Sequence, residues 1–122
     1  VGAVGGYFRY PEGMARRLRI VIPGLAHHLT QRGNHRQTIV FCDHDRTVFL
    51  ELLRKALTTH GVSLLAYCLM TNHFHLVPKP SQADGLAHVC SEVLGAYAAM
   101  SNRWRQTNGH LLSRTVLVLP AG

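Results

Sequence analysis

The sequence predicts an α+β domain of strand, helix, strand, strand, helix, strand order, with an antiparallel sheet carrying both helices on one face. Three observations predict it. Two long segments repeat apolar residues at three- and four-residue spacing, the mark of amphipathic helices. Four shorter β-prone runs stand one before the first helix, two between the helices and one after the second. Where those runs alternate, successive side chains fall on opposite faces, so one face is free to be polar.

The first strand is expected from about Leu25 to Arg32. His28, Thr30 and Arg32 share one of its faces and His27, Leu29 and Gln31 the other. Gly33-Asn34 makes a turn, and Thr38 to Phe41 reads as a short second extended piece that either pairs back or leads into the helix. Asp43 or Asp45 then caps a helix running to about Thr59, with Val48, Phe49, Leu52, Leu53, Ala56 and Leu57 on one stripe and Gly61 as a left-handed C-terminal cap. Val62 to Leu69 is nearly all apolar and reads as a central strand. Thr71-Asn72 turns the chain into His73 to Lys79, closed by Pro78 and Pro80, so these two strands form a hairpin. The second helix spans about Gly85 to Arg105, with Leu86, Cys90, Val93, Tyr97, Met100 and Trp104 along one stripe. Thr107-Asn108-Gly109 ends it, and Thr115 to Leu119 supplies the last strand. This is the ferredoxin-like βαββαβ pattern, and it leaves one sheet face open.

A chain of 122 residues fits one small domain, and 47% hydrophobic content excludes a disordered tail. Residues 1–13 read as an unstructured leader and 14–119 as the domain, with Met14 a plausible start. Net charge is +7, from 13 Lys and Arg against 6 Asp and Glu. Only Lys55 and Lys79 are lysines; the rest are arginines, whose planar fork matches phosphate. Such a surface favours nucleic acid or an anionic membrane. No apolar stretch approaches the roughly 20 residues that span a bilayer, and the first residues lack the form of a signal peptide. Cys42, Cys68 and Cys90 are odd in number and without metal-type spacing. They read as small buried residues of a reducing cytoplasm.

The most informative stretch is His73-Phe74-His75. On a strand, both imidazoles share one face while Phe74 and Leu76 anchor the other. That arrangement suits a divalent ion or a bound phosphate; it is equally the arrangement of two surface histidines. His28 adds a third nitrogen if the first strand lies beside this one. Arg32, Asn34, Arg36 and Asn72 surround the adjoining turns and are candidates to grip a sugar-phosphate backbone, or to form solvated loops. Asn72 braces either a histidine or a phosphate, or caps its turn. Arg16, Arg17 and Arg19 add unspecific phosphate attraction.

Several blocks together resemble a known family: Ala15 to Ile20, Pro23-Gly24, His28 to Asn34, Phe49 to Leu53, Ala66 to Val77, Asn102-Arg103 and Gly109-His110-Leu111. In that order they are similar to the REP-associated tyrosine transposases and related single-strand insertion-sequence transposases, members of the His-hydrophobic-His nucleases. The resemblance covers roughly residues 14–114. It implies the same βαββαβ sheet, and single-stranded or hairpin DNA as partner. It implies that His73 and His75 hold Mg²⁺ or Mn²⁺, and that a tyrosine attacks a DNA phosphate, cutting and rejoining the strand by transesterification. Homodimers occur among relatives. In the family the nucleophilic tyrosine usually lies on a further helix beyond the Gly-His-Leu block. Here the stretch from Arg114 onward departs from the family pattern, so the catalytic helix is expected to be missing, by truncation or a shifted frame. The catalytic tyrosine is therefore not assigned: Tyr97 is a weak candidate whose place on the apolar stripe reads as core, Tyr67 reads as core too, and Tyr7 and Tyr10 lie in the leader. The alternative function is a catalytically inactive remnant that still binds DNA hairpins. An unrelated ferredoxin-like metal or RNA binder is a third reading.

Overall fold

In a computed structural model, residues 6–9, 21–113 and 115–121 are described. The elements are β1 (Gly6–Arg9), β2 (His27–Arg32), a one-turn 3-10 helix (Asn34–Arg36), α1 (Asp43–His60), β3 (Val62–Leu69), β4 (His73–Pro80), α2 (Gly85–Arg105) and β5 (Thr115–Pro120). They form one five-stranded sheet in the order β1-β5-β2-β4-β3, with every neighbouring pair antiparallel. Without β1, this is the expected ferredoxin-like arrangement. No described helix is long and apolar enough to cross a membrane.

The helical layer covers one face only, because only one face of each central strand is apolar. Leu29 on β2, Phe74 and Leu76 on β4, and Val116 and Val118 on β5 are buried. They meet Phe49, Leu53 and Ala56 of α1 and Leu86, Val89, Cys90, Val93 and Tyr97 of α2 in a single core. Phe49 is central to it, with ring centroids 4.9 Å from Phe74 and 5.3 Å from Tyr97. Each of the buried Leu, Val and Phe side chains contributes about 1.5–3 kcal/mol by leaving water.

Helix boundaries follow their local chemistry. Gly61 closes α1 at φ 65°, and its N–H bonds the Leu57 carbonyl. At the other end, neither Asp43 nor Asp45 is the cap; that position is Cys42. Asp45 instead reaches backwards from the first turn. Its buried carboxylate accepts the Phe41 N–H at 2.8 Å and is ion-paired with Arg105 of α2, whose guanidinium lies 3.5 Å from the centre of the Phe41 ring.

Several expectations need correction. Within the supposed leader, Gly6–Arg9 is a strand paired with β5; the remainder of 1–13, with Arg16, Arg17 and Arg19, lies outside the described residues. Of the two courses open to Thr38 to Phe41, it takes the second: among the described residues it joins no ladder and leads into α1, with the Ile39 and Val40 N–H groups both donating to the Thr71 carbonyl. β3 is an edge strand rather than a central one, with a bulge between Leu64 and Ala66 and with Leu65 and Tyr67 more than half exposed. At the end of α2, Ser101 is buried and Trp104 is 41% exposed, since the stripe rotates off the sheet there. Cys42 and Cys68 are exposed and only Cys90 is buried; burial pushes its thiol up to about 12.

His27 is buried on the helical face of β2. Its Nδ1–H donates to the Leu25 carbonyl at 2.8 Å and its Nε2 accepts the Ile22 N–H at 3.1 Å. Burial holds its pKa below the ordinary 6.5, outweighing the opposing bond to Leu25. Between the lowered value and 6.5 the unfolded chain therefore binds more protons, and stability must fall as pH falls through that window. Denaturant midpoints measured from pH 7.5 down to 5 should decline, and His27→Gln should flatten the decline. An unchanged slope in the variant would remove His27 as its source.

Candidate nucleic-acid interface

Register decides which side chains the open face displays. Thr30 stands opposite His75, and Arg32 opposite His73, across the β2–β4 ladder. Since Leu29, Gln31, Phe74 and Leu76 are buried toward the helices, His28, Thr30, Arg32, His73 and His75 must share the uncovered side. Cys68 of β3 is the Cα partner of His75 and joins the same face. Sequence reading missed Cys68; the register of the β3–β4 hairpin is the signal that would have placed it.

The histidines touch one another and their neighbours. His73 and His75 have ring centroids 5.1 Å apart, edge to face. His73 Nδ1 lies 2.8 Å from Asn72 Oδ1, so Nδ1–H donates to that carbonyl and Nε2 keeps its lone pair. His75 Nδ1 lies 3.0 Å from His28 Nε2 and 3.2 Å from Thr30 Oγ1, and the planes of the His28 and His75 rings, centroids 5.1 Å apart, lie 20° from parallel. Burial and the two neighbouring imidazoles hold the His75 pKa below its ordinary value, so its neutral form is favoured at neutral pH.

Arg32, Arg36, Asn72 and His73 line one cleft at the end of this face. Two backbone links build it. The Gly33 N–H donates to the Asn72 carbonyl at 2.8 Å, joining the β2 turn to the hairpin tip. The Asn34 N–H donates to the Leu111 carbonyl, and the Gln37 side-chain amide donates to the carbonyls of His110 and Leu111. Asn34 thus shapes the turn through its backbone and does not line the cleft, whereas the other three expected DNA-contacting residues do. His35 and Arg36 both take positive φ, 53° and 59°, which turns the chain sharply at the cleft's rim.

The described tyrosine side chains lie elsewhere. Tyr97 is in the core, its hydroxyl donating to the Ile39 carbonyl at 2.6 Å, and burial raises its pKa strongly. Tyr67 stands opposite Leu76, on the helical face of the edge strand rather than the histidine face.

The donor set tests the expected metal. His73 and His75 supply two nitrogens and no oxygen. Among the described residues, no three His, Cys, Asp or Glu side chains are arranged to close around an ion. The pair fits an ion that takes its remaining ligands from phosphate and water; as nitrogen donors they suit a borderline ion better than Mg²⁺.

Comparisons agree with this architecture. A family model described as "Transposase IS200 like" matches residues 22–116. A crystal structure at 1.90 Å of a protein designated a candidate transposase, from Deinococcus radiodurans R1, superposes with a TM-score of 0.62 at 20% identity, covering 88% of this chain and 86% of that one. No curated protein matches the sequence.

Gly33 sits where a side chain has no room: a Cβ there would stand 2.1 Å from the Gln37 carbonyl oxygen. Gly33→Ala should therefore displace the turn carrying Arg36 and lower stability by about 1–3 kcal/mol. Thermal or denaturant unfolding measures this directly, and a neutral substitution would show that the turn is not tightly packed.

Proposed function

The chain belongs to the IS200-like transposase family, and from that premise we propose that its uncovered sheet face binds single-stranded or hairpin DNA and, with a tyrosine, cuts and rejoins it. One observation carries the reading: an edge-to-face imidazole pair, His73 and His75, stands beside a cleft walled by Arg32 and Arg36 on the face left free by the helices.

Arg32 and Arg36 bring the strand to the face by pairing with backbone phosphates. Asn72 holds His73 with its Nε2 lone pair available. His73 and His75 would hold Mg²⁺ or Mn²⁺, which when bound polarises a phosphate and eases departure of an oxygen. In the reaction the tyrosine oxygen forms a bond to phosphorus as the bond to the 3′ oxygen breaks. The tyrosine's proton is lost, the leaving oxygen gains one as a 3′-hydroxyl, and the strand's 5′ end stays on the tyrosine as a phosphodiester. Reversal reseals a strand. One phosphodiester replaces another, so no ATP is consumed. The same reading places the reaction in the cytoplasm and allows a homodimer through the outer edge of β3, which carries no partner strand among the described residues.

A second reading follows from the tyrosines. Neither Tyr67 nor Tyr97 reaches the histidine face, which favours recognition of DNA hairpins without cleavage by the described residues. A labelled hairpin oligonucleotide incubated with the protein and Mn²⁺ separates the two. A covalent adduct on a denaturing gel supports transesterification, a salt-sensitive band shift without adduct supports recognition alone, and neither result would sink both. In the same assay Arg32→Ala and Arg36→Ala should each weaken binding across sequences and reduce the slope of log affinity against log salt by about 1. An unaltered slope would move the phosphate contacts elsewhere.

A further inference from the structure

The third imidazole of the open face has a role that ligand counting does not capture. His28 comes to the site on β2, and its Nε2 lies 3.0 Å from His75 Nδ1. Thr30 Oγ1 approaches that same nitrogen at 3.2 Å. Two protein groups thus converge on one side of the His75 ring. The other member of the pair is treated alike: Asn72 Oδ1 occupies Nδ1 of His73 at 2.8 Å. In both rings it is Nδ1 that the protein engages.

We propose that His28 is a positioning residue, which accepts the His75 Nδ1–H and thereby fixes the tautomer that keeps the His75 Nε2 lone pair free for a divalent ion. This rests on the functional reading above and assigns a division of labour within it. A neutral imidazole carries one ring proton, and the partner of one nitrogen decides what the other can do. For the His73–His75 pair to present two like lone pairs, both protons must sit on Nδ1, where Asn72 receives one and His28, with Thr30, the other. The two ring planes lie only 20° from parallel with centroids 5.1 Å apart, the alignment that an in-plane N–H···N bond between imidazoles requires. Imidazole ligands elsewhere are oriented in this way by a hydrogen bond to the far nitrogen, and loss of that bond typically weakens metal affinity 10–100-fold. His28 is therefore not a third ligand, in accord with the absence of a closed three-residue set among the described residues.

The test needs neither DNA nor catalysis. Long-range ¹H–¹⁵N spectra of the metal-free protein above pH 7.5 report which nitrogen of each imidazole is protonated, with His75 assigned through His75→Gln. The expected result is Nδ1–H on His75 in the native protein. In His28→Leu this preference should be lost and Mn²⁺ affinity, measured by titration, should fall at least about 10-fold. His28→Gln, whose side-chain carbonyl can accept the same proton, should restore both. If native His75 is protonated on Nε2, or if His28→Leu folds and retains the Nδ1–H form, the proposal is overturned. Should His28→Leu fail to fold, the native spectrum and His28→Gln still decide it, because an Nε2–H form of His75 in either refutes it. A correct tautomer in a protein that binds no DNA would instead count against the functional reading.

Discussion

Everything at the open face depends on the register between β2 and β4. A strand's side chains alternate with a period of two, so a slip of one residue would exchange the faces. Here the slip is forbidden by the core. Leu29, Phe74 and Leu76 are nearly solvent-free beneath α1 and α2, and a shifted β4 would bury His73 and His75 in their place. Burying two imidazoles without partners costs several kcal/mol, and the apolar surface newly exposed adds to that. The same packing that stabilises the fold therefore holds Thr30 opposite His75 and Arg32 opposite His73.

A second layer of constraint ties the cleft to the sheet. The loop leading to α1 joins no ladder among the described residues, yet it is held at three points: the Thr71 carbonyl takes two of its N–H groups, Tyr97 donates to Ile39, and Asp45 takes the N–H of Phe41. Asp45 is buried and would be costly as a lone charge. Its pairing with Arg105 and the Phe41 N–H satisfies it and links the start of α1 to the end of α2. Thr71 and Asn72 form the tip of the β3–β4 hairpin, so these helical-side contacts set where the tip, and with it Asn72 and His73, can stand.

Much of this was legible in the sequence because it depends on short-range periodicity. The limits of β3 and α2 follow from apolar runs bounded by turn residues, and the shared face of His73 and His75 follows from alternation alone. What escaped depends on neighbours. An apolar run such as Val62–Leu69 does not say whether it has one neighbour or two; as an edge strand it leaves Leu65 and Tyr67 exposed. Thr38 to Phe41 has β-prone composition but no free ladder to join. Gly6–Arg9 carries no alternation and gains its strand geometry from β5. Asp45 looks like a cap from its spacing, yet its partner, Arg105, is 60 residues away. Cys68 and the contact between His28 and His75 likewise arise from lateral register, which spacing along a single strand does not encode.

The chemistry of the face divides between two kinds of residue. Arginines supply charge that is present at every accessible pH, and charge is what a polyanion responds to at a distance. His75 does the opposite. Burial and the proximity of His28 and His73 make His75 a poorer base, so around neutral pH it offers a lone pair instead of a positive charge. A lone pair is what a cation requires. On the proposed reading, Arg32 and Arg36 would attract an anionic strand while His73 and His75 share a cation with it. A lysine or arginine in place of either histidine would add attraction for phosphate and remove the donor, which under the proposed function separates binding a strand from preparing it for reaction.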